Sequence, residues 1–243
     1  AGHVSTAIDM YEALLPDMTR VLDPDHSNTL AARGNLAAAY QDAGHVSTAI
    51  DMYEALLPDM ARVLDPDHPD ILIARNNLAY AHREAGHVST AIDMYEALLA
   101  DRTRSLGPDH PHTLTAHNNL ANAHRQAGHV STAIDIYEAL LADCTRILGP
   151  DHPRTLTVRN NLANAHREAG HVSTAIDMHQ ALLPDCTRIL GPDHPRTLTV
   201  RNNLANAHRE AGHVSTAIDM HQALLPDCTR ILGPDHPRTL TVR

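Results

Sequence analysis

A nine-residue phrase, Ala-Gly-His-Val-Ser-Thr-Ala-Ile-Asp, recurs along the chain with its glycine at Gly2, Gly44, Gly86, Gly128, Gly170 and Gly212, at intervals of 42 residues. Residues 160–201 and 202–243 are identical, and the copies diverge most in the first two. A fixed period of this length means that one supersecondary unit is copied and stacked, because such a unit cannot bury its own apolar face. The composition agrees with a thin, extended core. There is no Trp and no Phe, and six Tyr are the only aromatics outside His, so the core is built from Leu, Ile, Val and Ala.

Two helices are legible within one unit. Helix A runs from about Pro153 to Ala169, with Val158, Leu162, Ala165 and Ala169 at helical spacing and Leu156 and Ala163 beside them. Pro153 suits a first-turn position and Gly170 a left-handed stop. Helix B runs from about His171 to Leu190, with one broad apolar face formed by Val172, Ala175, Ile176, His179, Leu182, Leu183, Cys186, Ile189 and Leu190. Gly191-Pro192 ends it, and Asp193 or His194 is the candidate cap of the next helix A. Pro16, Pro58, Pro184 and Pro226 fall inside helix B, where Ala100 and Ala142 stand in two other copies. Proline there removes one backbone hydrogen bond, so the expectation is a kink and not a break. No strand-like alternation occurs, and the fold class is all-α. The chain begins in a helix B and stops inside a sixth helix A, so the reading is one array over residues 1–243 of about six 42-residue repeats, cut within a repeat at both ends.

These residues resemble the tetratricopeptide repeats. Leu162-Ala163-x-x-His166 stands for the family's Leu-Gly-x-x-Tyr, and Tyr40 keeps the Tyr in an early copy. Ala133-x-x-x-Tyr137 stands for Ala-x-x-x-Phe, as do Ala7–Tyr11, Ala49–Tyr53 and Ala91–Tyr95, whereas His179 and His221 fill that slot later. Arg159 departs from the pattern at the Trp slot. The longer period and the phrases Arg-Asn-Asn-Leu-Ala and Leu-Gly-Pro-Asp-His-Pro look like the kinesin-light-chain type and like long arrays in actinobacterial proteins. The resemblance implies a right-handed α-solenoid superhelix, with helix A lining an inner groove that holds protein partners.

The chemistry readable from the sequence is sparse. There is no glycine-rich phosphate loop, no nucleophile elbow and no His-Glu-x-x-His, so no enzyme is expected. His166 and His171 are five apart and straddle a helix break, so they share no helical face. Cys144, Cys186 and Cys228 occupy one slot in successive repeats, too far apart for a disulfide, and read as small core fillers. His166 and His179 replace packed aromatics and can meet inside one repeat, as core imidazoles before ligands. Most of the other histidines repeat at the A–B turn or in the Asp-His-Pro link, where capping accounts for them. No metal and no cofactor are expected. The net charge is −10, with no Lys, no basic stripe and no aromatic platform, which excludes nucleic acid as a partner. No apolar run reaches membrane-spanning length, and no signal peptide is visible. Cytoplasm is the expected compartment.

Helix A carries a recurrent polar row. Asn35, Asn77, Asn119, Asn161 and Asn203 precede the signature Leu, and Asn122, Asn164 and Asn206 follow one turn on. A primary amide both donates and accepts, so it can pair with an extended peptide backbone regardless of its sequence. The resemblance implies the same role for these slots. Arg83, Arg125, Arg167 and Arg209 follow on the same helix and can hold carboxylates. The competing reading makes the asparagines a structural ladder between helices. Two functions result. One is a non-enzymatic scaffold that holds peptides in its groove. The other is a structural protein whose uniform units stack head to tail into fibres, extracellular in that case.

Overall fold

The computed structural model describes residues 2–242, and these contain twelve helices and no strand. The helices fall into two compact units, one running to Ala127 and the other from Gly128.

The first unit holds α1 (Gly2–Leu22), α2 (Ser27–Asp42), α3 (Val46–Val63), α4 (Pro69–Glu84), α5 (Val88–Leu106) and α6 (Pro111–Gln126). The second holds α7 (Val130–Leu148), α8 (Pro153–Glu168), α9 (Val172–Leu190), α10 (Pro195–Glu210), α11 (Val214–Leu232) and α12 (Pro237–Val242). Even-numbered helices are the A helices of the repeats and odd-numbered ones the B helices. Within each unit every helix packs on the next, and α2 touches α4, α4 touches α6 and α8 touches α10. The A helices of adjacent repeats therefore lie side by side and form a continuous face within a unit.

Local chemistry explains the boundaries. Each link histidine caps a helix A: the Nδ1 atoms of His68, His152 and His194 accept from the backbone N–H two residues on, at 3.1–3.2 Å. Of the two candidates at 193–194, the histidine is the cap. Proline follows it at the first helical position, where its missing N–H costs nothing. Helix A ends one residue earlier than its apolar spacing indicates, and Ala169 is an exposed C-cap. Gly170 follows at φ +83°, a backbone shape that only glycine takes without strain. There the Gly170 N–H donates to the Arg167 carbonyl and the His171 N–H to the His166 carbonyl at 2.9 Å, a Schellman closure. Helix B runs unbroken through Pro16, Pro58, Pro184 and Pro226. All four prolines lie on exposed positions, so the carbonyls they orphan stay in reach of water.

The core is small-residue and periodic. In the first unit Leu30, Tyr53, Leu56, Met60 and Ile71 pack together. In the second, Leu156, Leu182, Cys186 and Val200 form one layer and Leu198, Leu224, Cys228 and Val242 another. Burying each leucine contributes about 1.5–3 kcal/mol. Cys144, Cys186 and Cys228 are buried free thiols, with burial raising their pKa. Arg102 occupies the same slot in the first unit, 3% exposed, with Nη1 on the His112 carbonyl and Nη2 on the Leu72 carbonyl.

The departure at the Trp slot has a physical partner. Arg159 pairs with Asp185 at 2.7 Å across helices α8 and α9, and Arg33–Asp59, Arg75–Asp101 and Arg201–Asp227 repeat the pair at 2.7–2.9 Å. Asp185 also binds Arg188, which reaches Asp151 in the preceding link at 2.8 Å. The hydrogen bond from Arg159 holds the Asp185 carboxyl below the usual carboxylate range. A charged strap thus stands at the Trp slot on four helix pairs, and His117 takes that slot in α6.

Candidate functional site

Within each unit the face built from the A helices carries three parallel rows. At residue 73 in α4 and its equivalents stand Ala31, Ile73, Thr115, Thr157 and Thr199. Four residues on come Asn35, Asn77, Asn119, Asn161 and Asn203, and three further on Ala38, Tyr80, Asn122, Asn164 and Asn206. This spacing of four and then three keeps the rows on one helical face.

The second row is partly engaged in a ladder. Asn119 Nδ2 donates to Asn76 Oδ1 at 3.0 Å, and Asn203 Nδ2 to Asn160 Oδ1 at 3.0 Å. The acceptor is the first asparagine of the Asn-Asn pair in the preceding repeat, a partner that the repeat pattern does not single out. Asn77 Nδ2 donates to Tyr53 Oη at 3.3 Å, tying the row to the core of the first unit. Asn161 makes an interaction as well. In the third row Asn122 donates to the Asn118 carbonyl one turn back. Asn35 is exposed and its amide pairs with nothing, the Asn164 Oδ1 is buried without a partner, and the Asn206 amide is unengaged. The ladder thus accounts for Asn119 and Asn203 and leaves Asn35, Asn164 and Asn206 without a structural task.

The arginines diverge. Arg167 binds Glu210 of the next repeat at 2.5 Å. Arg83 lies over the Tyr80 ring, 4.7 Å from its centroid. Arg125 is engaged, and Arg209 is exposed at the end of α10. They do not form one uniform carboxylate-binding row.

Two cavities open between adjacent A helices. One, of about 150 Å³, lies in the first unit between α2 and α4, with Ile73, Leu56 and Tyr53 on its wall and Asn35 and Asn77 at its rim. The other, of about 140 Å³, lies in the second unit among α8, α10 and α12, lined by Thr157, Asn160, Arg196, Thr199, Val200 and Arg238 among others. The first is distinguished by exposed apolar groups, with Ile73 46% and Tyr80 38% exposed on either side of Asn77.

Histidines behave in three ways. Link histidines cap, as above. His179 fills the aromatic slot, 0% exposed with both ring nitrogens unpartnered, and burial first and Arg167 second push its pKa down to about 4. It does not meet His166. Instead His166 Nδ1 lies 3.3 Å from His171 Nδ1, across the turn that the sequence spacing reads as keeping them apart. The turn histidines do not cap helix B, and their side chains make no cap hydrogen bond. Among the described residues no group of three or more metal-ligating side chains converges, and no helix is long and apolar enough to cross a membrane.

A model of the tetratricopeptide repeat matches residues 4–61, 90–142, 130–184 and 172–226. The chain belongs to the tetratricopeptide-repeat family. A crystal structure of a Podosopora anserina kinesin light chain candidate with nearly identical TPR-like repeats is 26% identical, covering 84% of this chain and 97% of that one at a TM-score of 0.70. The crystal structure of BtubC (BKLC) from P. vanneervenii is 21% identical over 96% of this chain and 94% of that one, at a TM-score of 0.73, and shows the shared fold. A Rap protein complexed with Competence and Sporulation Factor shares the fold at 9% identity and a TM-score of 0.67, over 98% of this chain and 72% of that one. No curated protein sequence matches the chain. The tetratricopeptide array is thus of kinesin-light-chain-like type, an all-α solenoid fold used for protein interaction.

Proposed function

We propose that this tetratricopeptide array is a non-enzymatic scaffold that holds an extended peptide along its A-helix face, seated first on the first unit. The observation that carries this reading is the cavity of about 150 Å³ between α2 and α4, with an apolar wall and an amide rim. An apolar side chain of the peptide enters beside Ile73, and the free Asn35 amide pairs with the peptide backbone, joined by the second Nδ2 proton of Asn77, whose first goes to Tyr53 and whose Oδ1 accepts from Asn76 at 3.4 Å. Tyr80, with Arg83 over one face of its ring, offers the other face to the next residue. Uniform repeats alone cannot tell one peptide from another, whereas Ile73 and Tyr80 break the uniformity of the face where the cavity lies. In the second unit Asn164 and Asn206 offer the same amide chemistry, with Arg209 beside them for a carboxylate. The Rap neighbour's complex with a factor is consistent with such a use of the fold.

The test is selection of peptides from a displayed random library on the whole chain, followed by calorimetry. Asn35→Ala with Asn77→Ala removes about 0.5–1.5 kcal/mol per net hydrogen bond, so a selected peptide should bind about tenfold more weakly or worse. Unchanged affinity rejects the amide grip. Asn35→Ala alone should leave the melting temperature unchanged, because that amide supports nothing in the fold.

One observation favours a second reading. Val214 and Ile218 of α11 are 53% and 50% exposed, whereas the equivalent Ile176 is 8% exposed beneath Leu204. Copies joined through that face would extend the array end to end. Sedimentation of the chain over a hundredfold concentration range decides it: a constant monomer mass rejects the reading.

A further inference from the structure

The turn between helix A and helix B repeats one geometry that neither the fold nor the peptide-binding reading uses. His82 and His87 face each other with Nδ1 atoms 3.3 Å apart, His166 and His171 at 3.3 Å, and His208 and His213 at 3.2 Å. The cause is local. In the Schellman closure the N–H of the second histidine donates to the carbonyl of the first at 2.9 Å, which stacks the two side chains on one side of the glycine. The second histidine of each pair stands at the N-cap of a helix B yet makes no cap bond, unlike the link histidines, whose Nδ1 atoms accept backbone N–H groups. These rings are therefore free of the task that explains their siblings.

Two neutral imidazoles so placed share a single proton between two inward-facing nitrogens. Two imidazole nitrogens on one tetrahedral zinc ion, at bonds of about 2.0–2.1 Å, stand about 3.3–3.4 Å apart. We propose that each of these turns is a two-histidine site for a borderline divalent transition-metal ion such as zinc, with the metal taking the place of the shared proton. Water, or a side chain of a second molecule, completes the coordination. Imidazole selects zinc, nickel and copper over magnesium and calcium.

The outer nitrogen of the first ring has a partner suited to this. His82 Nε2 lies 3.7 Å from Glu54 Oε1, and His166 Nε2 lies 4.0 Å from Glu138 Oε1. Neither distance is a hydrogen bond; moving in by less than about 1 Å, each carboxylate would accept the Nε2 proton and so hold the tautomer whose Nδ1 lone pair faces the metal. At His208 the equivalent residue is Gln180, so that site lacks the charge. The site also lies at the carbonyl end of helix A, which favours a cation, and at the amide end of helix B, which opposes it, so the two helix ends offset.

The experiment titrates zinc into the full chain by calorimetry. The variant His87→Asn/His171→Asn/His213→Asn keeps a good N-cap residue at each position and should lose three equivalents of bound zinc relative to the wild type. Replacing the link histidines instead, with His68→Asn, His152→Asn and His194→Asn, should leave the stoichiometry unchanged. Glu54→Gln and Glu138→Gln should each weaken one site about tenfold and leave the His208 site alone. Nitrogen-15 spectra of the wild-type rings provide a reading that needs no variant: zinc should move the Nδ1 resonances of His82, His166 and His208. Equal zinc uptake by the triple turn variant, no uptake by the wild type at millimolar zinc, or ligation through Nε2 would each overturn the proposal.

Discussion

His179 gives the sharpest stability prediction. It sits where Tyr53, Tyr95 and Tyr137 sit in earlier repeats, each at most 1% exposed, so the site accepts a tyrosine without new volume. Its imidazole is fully buried beside Arg167, and its pKa falls to about 4. An unfolded histidine titrates near 6.5. With the folded value lowered, the unfolded chain binds more protons as the pH drops. The neutral ring's contribution is fully present above about pH 6.5 and is lost as the pH falls from there towards 4. Linkage between these two values gives a loss of about 2 kcal/mol at pH 5 and about 3 kcal/mol at pH 4. The perturbation is His179→Tyr, which removes this titration and leaves the other histidines in place. The assay is amide hydrogen exchange in α9 at pH 7 and pH 5, corrected for intrinsic exchange, because repeats open locally and no single global unfolding constant applies. Wild-type α9 should lose about 2 kcal/mol of protection more than the variant. Equal pH dependence in the two chains would mean that the ring is hydrated or paired and that its burial does not set the pH response.

Other expectations follow from single contacts. Arg102→Cys restores the residue used in three sibling repeats and removes a buried guanidinium whose Nε has no partner; the variant should be at least as stable as wild type in thermal unfolding, even though two hydrogen bonds are lost. Asp185→Asn breaks the pairs with both Arg159 and Arg188, and at this partial exposure it should cost about 0.5–1 kcal/mol, with the difference shrinking in 1 M salt. Gly170→Ala forces a β-carbon onto φ +83° and should destabilise the adjoining helices by about 1–2 kcal/mol, read by hydrogen exchange at the turn.

What the sequence discloses here depends on whether one repeat contains the cause. Helix A from Pro153, the glycine stop at Gly170 and the uninterrupted helix across Pro184 are local matters of backbone shape, and the chain states them openly. The His194 cap is local too. The Arg159–Asp185 strap joins residues 26 apart on two helices, so it needs the crossing of α8 and α9 before it can be seen. The Asn76–Asn119 contact spans 43 residues, one more than the period, so the partner is the neighbouring asparagine and not the equivalent one. The meeting of His166 and His171 was within reach of sequence, since a Schellman closure brings the third residue before its cap and the second after it together. Helical-face reasoning hides it, because it stops at the glycine. Ile73 and Tyr80 escape a reading that looks for what repeats, because they matter as the positions where the pattern fails.

The central claim is that a peptide lies on the A-helix face of the first unit. The most direct measurement is amide and side-chain NMR of the full chain with a library-selected peptide. The bound peptide should shift the Asn35 and Asn77 side-chain amides and the Ile73 methyl groups, while exposed groups of α3 and α5 stay still. Shifts confined to the B helices, or a library that yields no binding peptide, would contradict it.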